Sequence, residues 1–316
     1  MADRQDDDLG FAPEYDRAVP YMERTRNYYL ALGYANPYRW AQFAAVPFQR
    51  LKKPLAESCV ALITTAALFD PAKGEQGPGA PYNSAAKFYT VYSADPMADP
   101  DLRISHIGYD RMHTTASDPR TYNPLDQLKR AVARGRIGRL ASRFHGAPTN
   151  RSQRVTMEVD APEILARCRA DGVDVAVLVP NCPVCHQTIS LVARHLEENG
   201  IPTVVAGCAK DIVEHCGVPR LCFSDFPLGN AAGRPDDVAS QAFTLEFALR
   251  VLEAAPAART TVQSPLRWSD DASWKLDYSN VDRIAPEELE RRRREFAVQK
   301  EIARNVRQNT LAKVDA

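Results

Sequence analysis

Two cysteines separated by two residues, Cys182 and Cys185, follow an apolar run in the stretch VLVPNCPVCHQ. A metal clip, a disulfide switch, a nucleophile with its resolving thiol, and two buried thiols all use such a pair. The apolar run reads as a strand over 174–179. Pro183 suits the first turn of a helix, where its missing N–H costs no hydrogen bond. Cys182 then lies in the turn and Cys185 at the start of the helix. A helix N-terminus carries partial positive charge and free N–H groups, so it favours a thiolate. Low thiol pKa values are typical of Cys-X-X-Cys at such helix starts. The thiolate is the nucleophile. A second thiol three residues on can resolve a mixed bond as a disulfide, which an external thiol or thioredoxin-type reductant then clears. A structural zinc site asks for four ligands, usually from paired Cys-X-X-Cys units. The chain has no second unit, and His186, Cys208 and Cys222 are irregularly spaced as completing ligands. We therefore expect no metal and no bound cofactor. Cys59, Cys168 and Cys216 read as core residues, as does Cys222 within its strand, while Cys208 stays open.

Those residues need a frame. In open parallel α/β sheets, ligands sit outside the carboxyl ends of the strands. Apolar runs predict strands over 60–65, 174–179, 203–206 and 221–223, with a weaker one over 102–107. Their carboxyl ends carry Thr64 and Thr65, then His106, Asp110 and His113, then Asn181, Cys182, Cys185 and His186, then Cys208, then Asp225 and Gly229. Cys182, Cys185, His186, His106 and His113 are the expected catalytic groups. The histidines are acid–base candidates because imidazole titrates near neutrality. Thr64, Thr65, Asp110, Asn181, Cys208, Asp225 and Gly229 are the expected substrate contacts. The Gly/Pro-rich loop 225–236 precedes a helix and could cradle a small anion through its N–H groups. It is neither a P-loop nor GxGxxG.

Helices are predicted over 124–132, 162–170, 186–199, 210–216 and 238–254. Alternation of such strands and helices implies an α/β fold, a layered parallel sheet with helices on both faces. Helical extensions flank it at both ends. The expected organisation is a disordered lead over 1–20, an aromatic helical arm over 21–58, an α/β domain over 59–270 divisible at 150, and a linker with a charged helix over 271–316. The arm, with Tyr28, Tyr29, Tyr34, Tyr38 and Trp40, reads as one or two helices covering the core or contacting a subunit, rather than caging a ligand. In the last helix, over 286–314, Leu289, Phe296, Ile302, Val306 and Leu311 form a narrow stripe suited to docking a partner subunit. Glutamates interleave its arginines, which argues against nucleic acid.

The totals fit a globular protein. The chain has 316 residues, 45% of them hydrophobic, with 40 Lys and Arg against 40 Asp and Glu. That balance gives no electrostatic reason to bind nucleic acid or a membrane surface. The acidic start MADRQDDDLGF lacks a signal-peptide signature, and no apolar run reaches the roughly 20 residues that span a bilayer. A cytoplasmic protein is expected, in which seven cysteines do not form a disulfide framework.

The string DGVDVAVLVPNCPVCHQTISLVARHLEENGIPT, together with VALITTAALF, RISHIGYDRMH, VPRLCFSDFPLGNAAGRPDD and the closing Pro265-Leu266-Arg267-Trp268, resembles the selenoprotein B subunits of glycine, sarcosine and betaine reductases and of D-proline reductase. The resemblance runs over residues 37–268. It implies a selenocysteine position after the central strand, occupied here by Cys182, with Cys185 as resolving partner. It further implies reductive cleavage of a carbon–heteroatom bond in a small substrate, restoration by thioredoxin-like reductants, and work beside a sister subunit in a homo- or hetero-oligomer. No pyruvoyl precursor is evident in the chain. Cysteine is also a weaker nucleophile and leaving group than selenocysteine, which points to a thiol-based relative acting on another substrate. Two other classes stay open. A two-cysteine racemase or lyase of the aspartate/glutamate racemase type would pair Cys182 with Cys59, Cys208 or Cys222. A non-catalytic subunit would hold a metal or metalloid on its thiolates.

Overall fold

The computed structural model describes residues 17–34, 38–149 and 151–314. Most of the expected lead, residues 1–16, lies outside the described residues. In chain order the elements are α1 (Tyr21–Ala31), β1 (Cys59–Thr64), β2 (Ala67–Leu68), β3 (Tyr92–Ala94), β4 (Leu102–Arg103), α2 (Leu125–Ala133), β5 (Arg139–Leu140), β6 (Phe144–Gly146), α3 (Ala161–Ala170), β7 (Val175–Val179), α4 (Pro183–Glu198), β8 (Thr203–Gly207), α5 (Lys210–Cys216), β9 (Arg220–Phe223), α6 (Val238–Ala254), β10 (Thr260–Gln263) and α7 (Pro286–Val314).

The main sheet runs β10-β9-β8-β7-β1-β6-β3, with β5 also on β1. Every pairing in it is parallel except β3 on β6. The central strands are apolar throughout because both faces are covered. Val60, Leu62, Val175, Val177 and Val204 face one core with α2 and α6. Cys59, Ala61, Ile63, Ala176, Leu178 and Val205 face the other with α3, α4 and α5. The register Val60↔Val175 through Thr64↔Val179 ends β1 and β7 level. The turns after them therefore open at the same edge.

Several elements differ from expectation. Residues 102–107 do not join the main sheet. Only Leu102 and Arg103 pair, antiparallel to Ala67 and Leu68, because β5 and β6 already occupy that flank of β1. β3, β6 and β10 are short and lack a continuous apolar run, so periodicity did not mark them. Helix α4 begins at Pro183, three residues before the predicted 186. Among the described residues the arm holds one α-helix, within the one or two expected, and a short 3-10 turn over Leu55–Glu57. Gly33, at φ 79°, follows the α-helix, and the stretch from Tyr38 to Pro54 has no helix.

Helix α7, whose apolar stripe reads as a docking face, also packs on its own chain. Phe296 meets the rings of Tyr29 and Tyr34 at 5.7 and 6.5 Å. The Tyr89 hydroxyl donates to the Ala303 carbonyl at 3.1 Å, and Arg293 donates to the Ala31 carbonyl at 2.6 Å. No helix among the described residues is long and apolar enough to cross a membrane.

Candidate functional site

The turn after β7 is held from both sides. Thr65 Oγ1 accepts from the Asn181 N–H at 3.1 Å, and Thr64 Oγ1 from Ala66 N–H at 3.1 Å. The two threonines brace the strand ends and do not line the cavity described below. Cys182 is the N-cap of α4, and its sulfur accepts from the Cys185 N–H at 3.2 Å. A cap of this kind satisfies one of the helix's free donors and keeps the sulfur in the positive field of the helix start. The Cys182 and Cys185 Cα atoms are 4.9 Å apart, within the span of a disulfide, and their sulfurs lie side by side. The Thr149 hydroxyl reaches Cys185 Sγ at 3.5 Å.

His186 is locked by backbone groups. Its Nδ1 donates to the Cys182 carbonyl at 2.7 Å, and its Nε2 accepts from the Cys208 and Ala209 N–H groups at 2.9 and 3.1 Å. Both nitrogens are occupied and burial pushes its pKa down to about 4. The ring ties the β7–α4 turn to the end of β8. A Cβ on Gly207 would stand 3.0 Å from it.

His106 reaches the thiols from the loop after β4. That loop approaches so closely that a Cβ on Gly108 would stand 2.9 Å from Pro183. The Tyr278 hydroxyl donates to the Gly108 carbonyl at 2.9 Å. One His106 nitrogen and both sulfurs lie within 4.8 Å of one another, all buried. Among the described residues His106 Nδ1 has no hydrogen-bond partner. Burial, then the charges of Lys87 and Arg111, push its pKa down to about 3.

The remaining predicted residues divide. Asp110 lines the same cavity, and its carboxylate holds His113 Nδ1 at 2.9 Å. His113 lies between Asp110 and Asp277 and outside the cavity lining. Its hydrogen bond to the Asp110 carboxylate raises its pKa. Asn181 is buried, and neither end of its amide has a partner among the described residues. The Cys208 thiol is buried against the loop after β9, where burial raises its pKa. Asp225 pairs with Lys275. Gly229, at φ 107°, packs under Ile104 and Tyr109. Its loop supports the 106–113 loop through the Asp110 N–H, which donates to the Leu228 carbonyl at 2.9 Å.

A cavity of about 770 Å³ opens over Cys182 and His106. Its wall is made by α1, α7 and the 106–112 loop, with Tyr28, Tyr29 and Tyr34 from the arm. The arm, read from sequence as covering the core or contacting a subunit, thus contributes to the cavity wall. The reading also missed the basic groups Lys87, Arg111 and Arg151 on the wall. Single basic residues in loops carry no periodic signal. Among the seven cysteines, only Cys182 lines the cavity.

Residues 31–181 match the profile of a family described as glycine/sarcosine/betaine reductase selenoprotein B. That span stops one residue before the thiol pair. The chain is also 29% identical over 220 residues to the D-proline reductase subunit gamma of Acetoanaerobium sticklandii, covering 68% of this chain and 87% of that relative. No solved structure matches the chain.

Proposed function

We propose, from the premise that this chain is a cysteine-containing relative of the selenoprotein B family of reductases, that it is a thiol-dependent reductase working through Cys182 and Cys185. The observation that carries the reading is a capped sulfur at the start of α4, with a second sulfur beside it and a buried imidazole within 4.8 Å, under a ligand-sized cavity. The Cys182 thiolate attacks a substrate carbon that bears a heteroatom and adjoins a carbonyl or imine. A carbon–sulfur bond forms, and the heteroatom leaves with its electron pair and takes a proton. The Cys185 thiolate then attacks the Cys182 sulfur. The carbon–sulfur bond breaks, its pair passes to the carbon, and that carbon is protonated. Two thiols become one disulfide and the substrate gains two electrons. An external dithiol, thioredoxin or a small thiol, returns them. His106 is the group placed to move the protons, because His186 has both nitrogens engaged and His113 lies outside the cavity.

The names of the family and the relative point to amino-acid substrates and to a subunit within a larger enzyme. A sister subunit is therefore part of the proposal, as is a cytoplasmic location. Assay of dithiol-driven reduction tests the reading. Cys182→Ser should abolish turnover. Cys185→Ser should stop after one event and leave a substrate-derived thioether on Cys182, visible by peptide mass spectrometry. Turnover near wild type in Cys182→Ser would sink the reading.

The grouping of His106 with both sulfurs supports a second reading, a soft cation held by one imidazole and two thiolates. It predicts one tightly held zinc or copper per chain in reduced protein and no thiol-dependent turnover. For the racemase class, Cys59, Cys208 and Cys222 all lie away from the cavity lining.

A further inference from the structure

We propose that the cavity over the thiol pair takes a small dianion, two negative charges held close together, gripped by Lys87, Arg111 and Arg151 with its flat or apolar body against the arm's tyrosines. The chemistry that would follow rests on the reductase reading; the binding does not.

The charge inventory of the wall is lopsided. Arg291, Arg292 and Arg304 are neutralised by Glu288, Glu295 and Glu301 on their own helix. Lys87, Arg111, Arg151, Lys300 and Arg307 also line the cavity and make no ion pair among the described residues. The acidic residues on the wall, Asp110 and Glu295, are already engaged by His113 and Arg291. The unpaired cations also crowd one another. Lys87 feels both Arg151 and Arg307, and burial with those two charges lowers its pKa to about 8. Cations facing one another in a partly buried space, without a carboxylate, destabilise the empty protein. A bound anion relieves that cost.

Aromatic rings hold these cations in place. Arg151 lies 4.6 Å from the Tyr29 ring centre and 5.1 Å from that of Tyr34. Arg111 lies 3.9 Å over Tyr109, and Lys300 4.7 Å over Tyr34. Rings and guanidinium planes hold a cation without neutralising it, and a positioned guanidinium matches a carboxylate or phosphate through paired donors. Several such groups around one cavity exceed what a single carboxylate would balance. The placement also couples to the chemistry. Lys87 and Arg111 are the charges that depress His106. Burial is the larger cause of that depression, and a dianion beside Lys87 and Arg111 offsets the smaller, electrostatic part of it.

Calorimetric titration of the full chain at pH 7.5 and low salt tests this with matched probes: phthalate and phenyl phosphate as dianions, benzoate as monoanion and benzamide as neutral ligand. Both dianions, or one of them, should bind at least 10-fold more tightly than benzoate. The tighter one identifies a dicarboxylate or a phosphate ester as the source of the charge. Arg151→Gln and Lys87→Gln should each weaken the dianion at least 10-fold and leave benzamide unchanged. Arg307→Gln, on the exposed face of α7, gives the same direction without burden on the fold. Equal affinity for benzoate and both dianions, or dianion affinity unaffected by all three substitutions, would overturn the proposal. Since titration needs no turnover, either result leaves the reductase reading standing. Conversely, Cys182→Ser should bind dianions as wild type does while losing reduction.

Discussion

At the residue scale the proposed chemistry turns on His106 and Lys87. Burial keeps His106 neutral, one of its nitrogens lies near both sulfurs, and its Nδ1 has no hydrogen-bond partner among the described residues. Its replacement by Asn should lower kcat about 100-fold or more, the usual size of an acid–base contribution, with dianion affinity not weakened in calorimetry. Lys87 stands against Tyr89, His106, Arg151 and Arg307. With a pKa of about 8 it is charged below that pH and loses its charge above it. Dianion affinity should therefore fall as pH rises past about 8. Lys87→Arg should remove that fall up to pH 10, because a guanidinium stays protonated there. At this scale the thiol pair was legible from spacing alone, since CPVC after an apolar run places two sulfurs at a helix start. His186 was not legible. Its sequence neighbourhood suggests a catalytic imidazole, and only the approach of β8 shows both nitrogens taken by backbone.

At the element scale, the strands with continuous apolar runs and the helices between them were legible because burial on both faces leaves an unbroken hydrophobic signal. One tie among them was not. Glu197 of α4 and Arg220 of β9 form a buried ion pair at 2.7 Å. Glu197 also accepts from the Thr203 N–H and the Gln49 N–H. The pair joins α4, β8, β9 and the segment leaving the arm. Arg220→Leu leaves a carboxylate buried and unpaired, so urea denaturation should show a loss of about 3–5 kcal/mol. Adding Glu197→Leu to that variant should recover much of it, because the uncompensated charge is gone.

For the whole molecule, the cavity exists because α1 and α7 fold back over the sheet edge. Phe296 seats α7 on the arm, so Phe296→Ala should loosen that wall and raise the alkylation rate of reduced Cys182 several-fold, read by mass spectrometry. The buried histidines make global stability pH-dependent. His106, His145 and His186 have pKa values pushed down by burial to about 3, 4 and 4, against about 6.5 unfolded. Above 6.5 all three are neutral in both states. Below it the unfolded chain binds protons that the folded chain refuses, so stability falls between pH 6.5 and about 4. Each histidine contributes at most about 1.4 kcal/mol per pH unit. Urea midpoints across that range measure it, and a flat profile would count against neutral burial of all three.

The sequence by itself determined the parallel α/β core, the strand-to-helix turn that carries Cys182 and Cys185, and the long last helix. These follow from local periodicity, proline placement and short-range spacing, which the chain states without reference to its fold. Only the tertiary structure decided which histidine meets the sulfurs, that the aromatic arm and α7 wall a cavity, and that five of the wall's cations make no ion pair among the described residues. Those facts join residues as far apart as Tyr29, Lys87, Cys182 and Arg307. Contacts of that range depend on how the strands order themselves and where α1 and α7 return, and no local pattern encodes either.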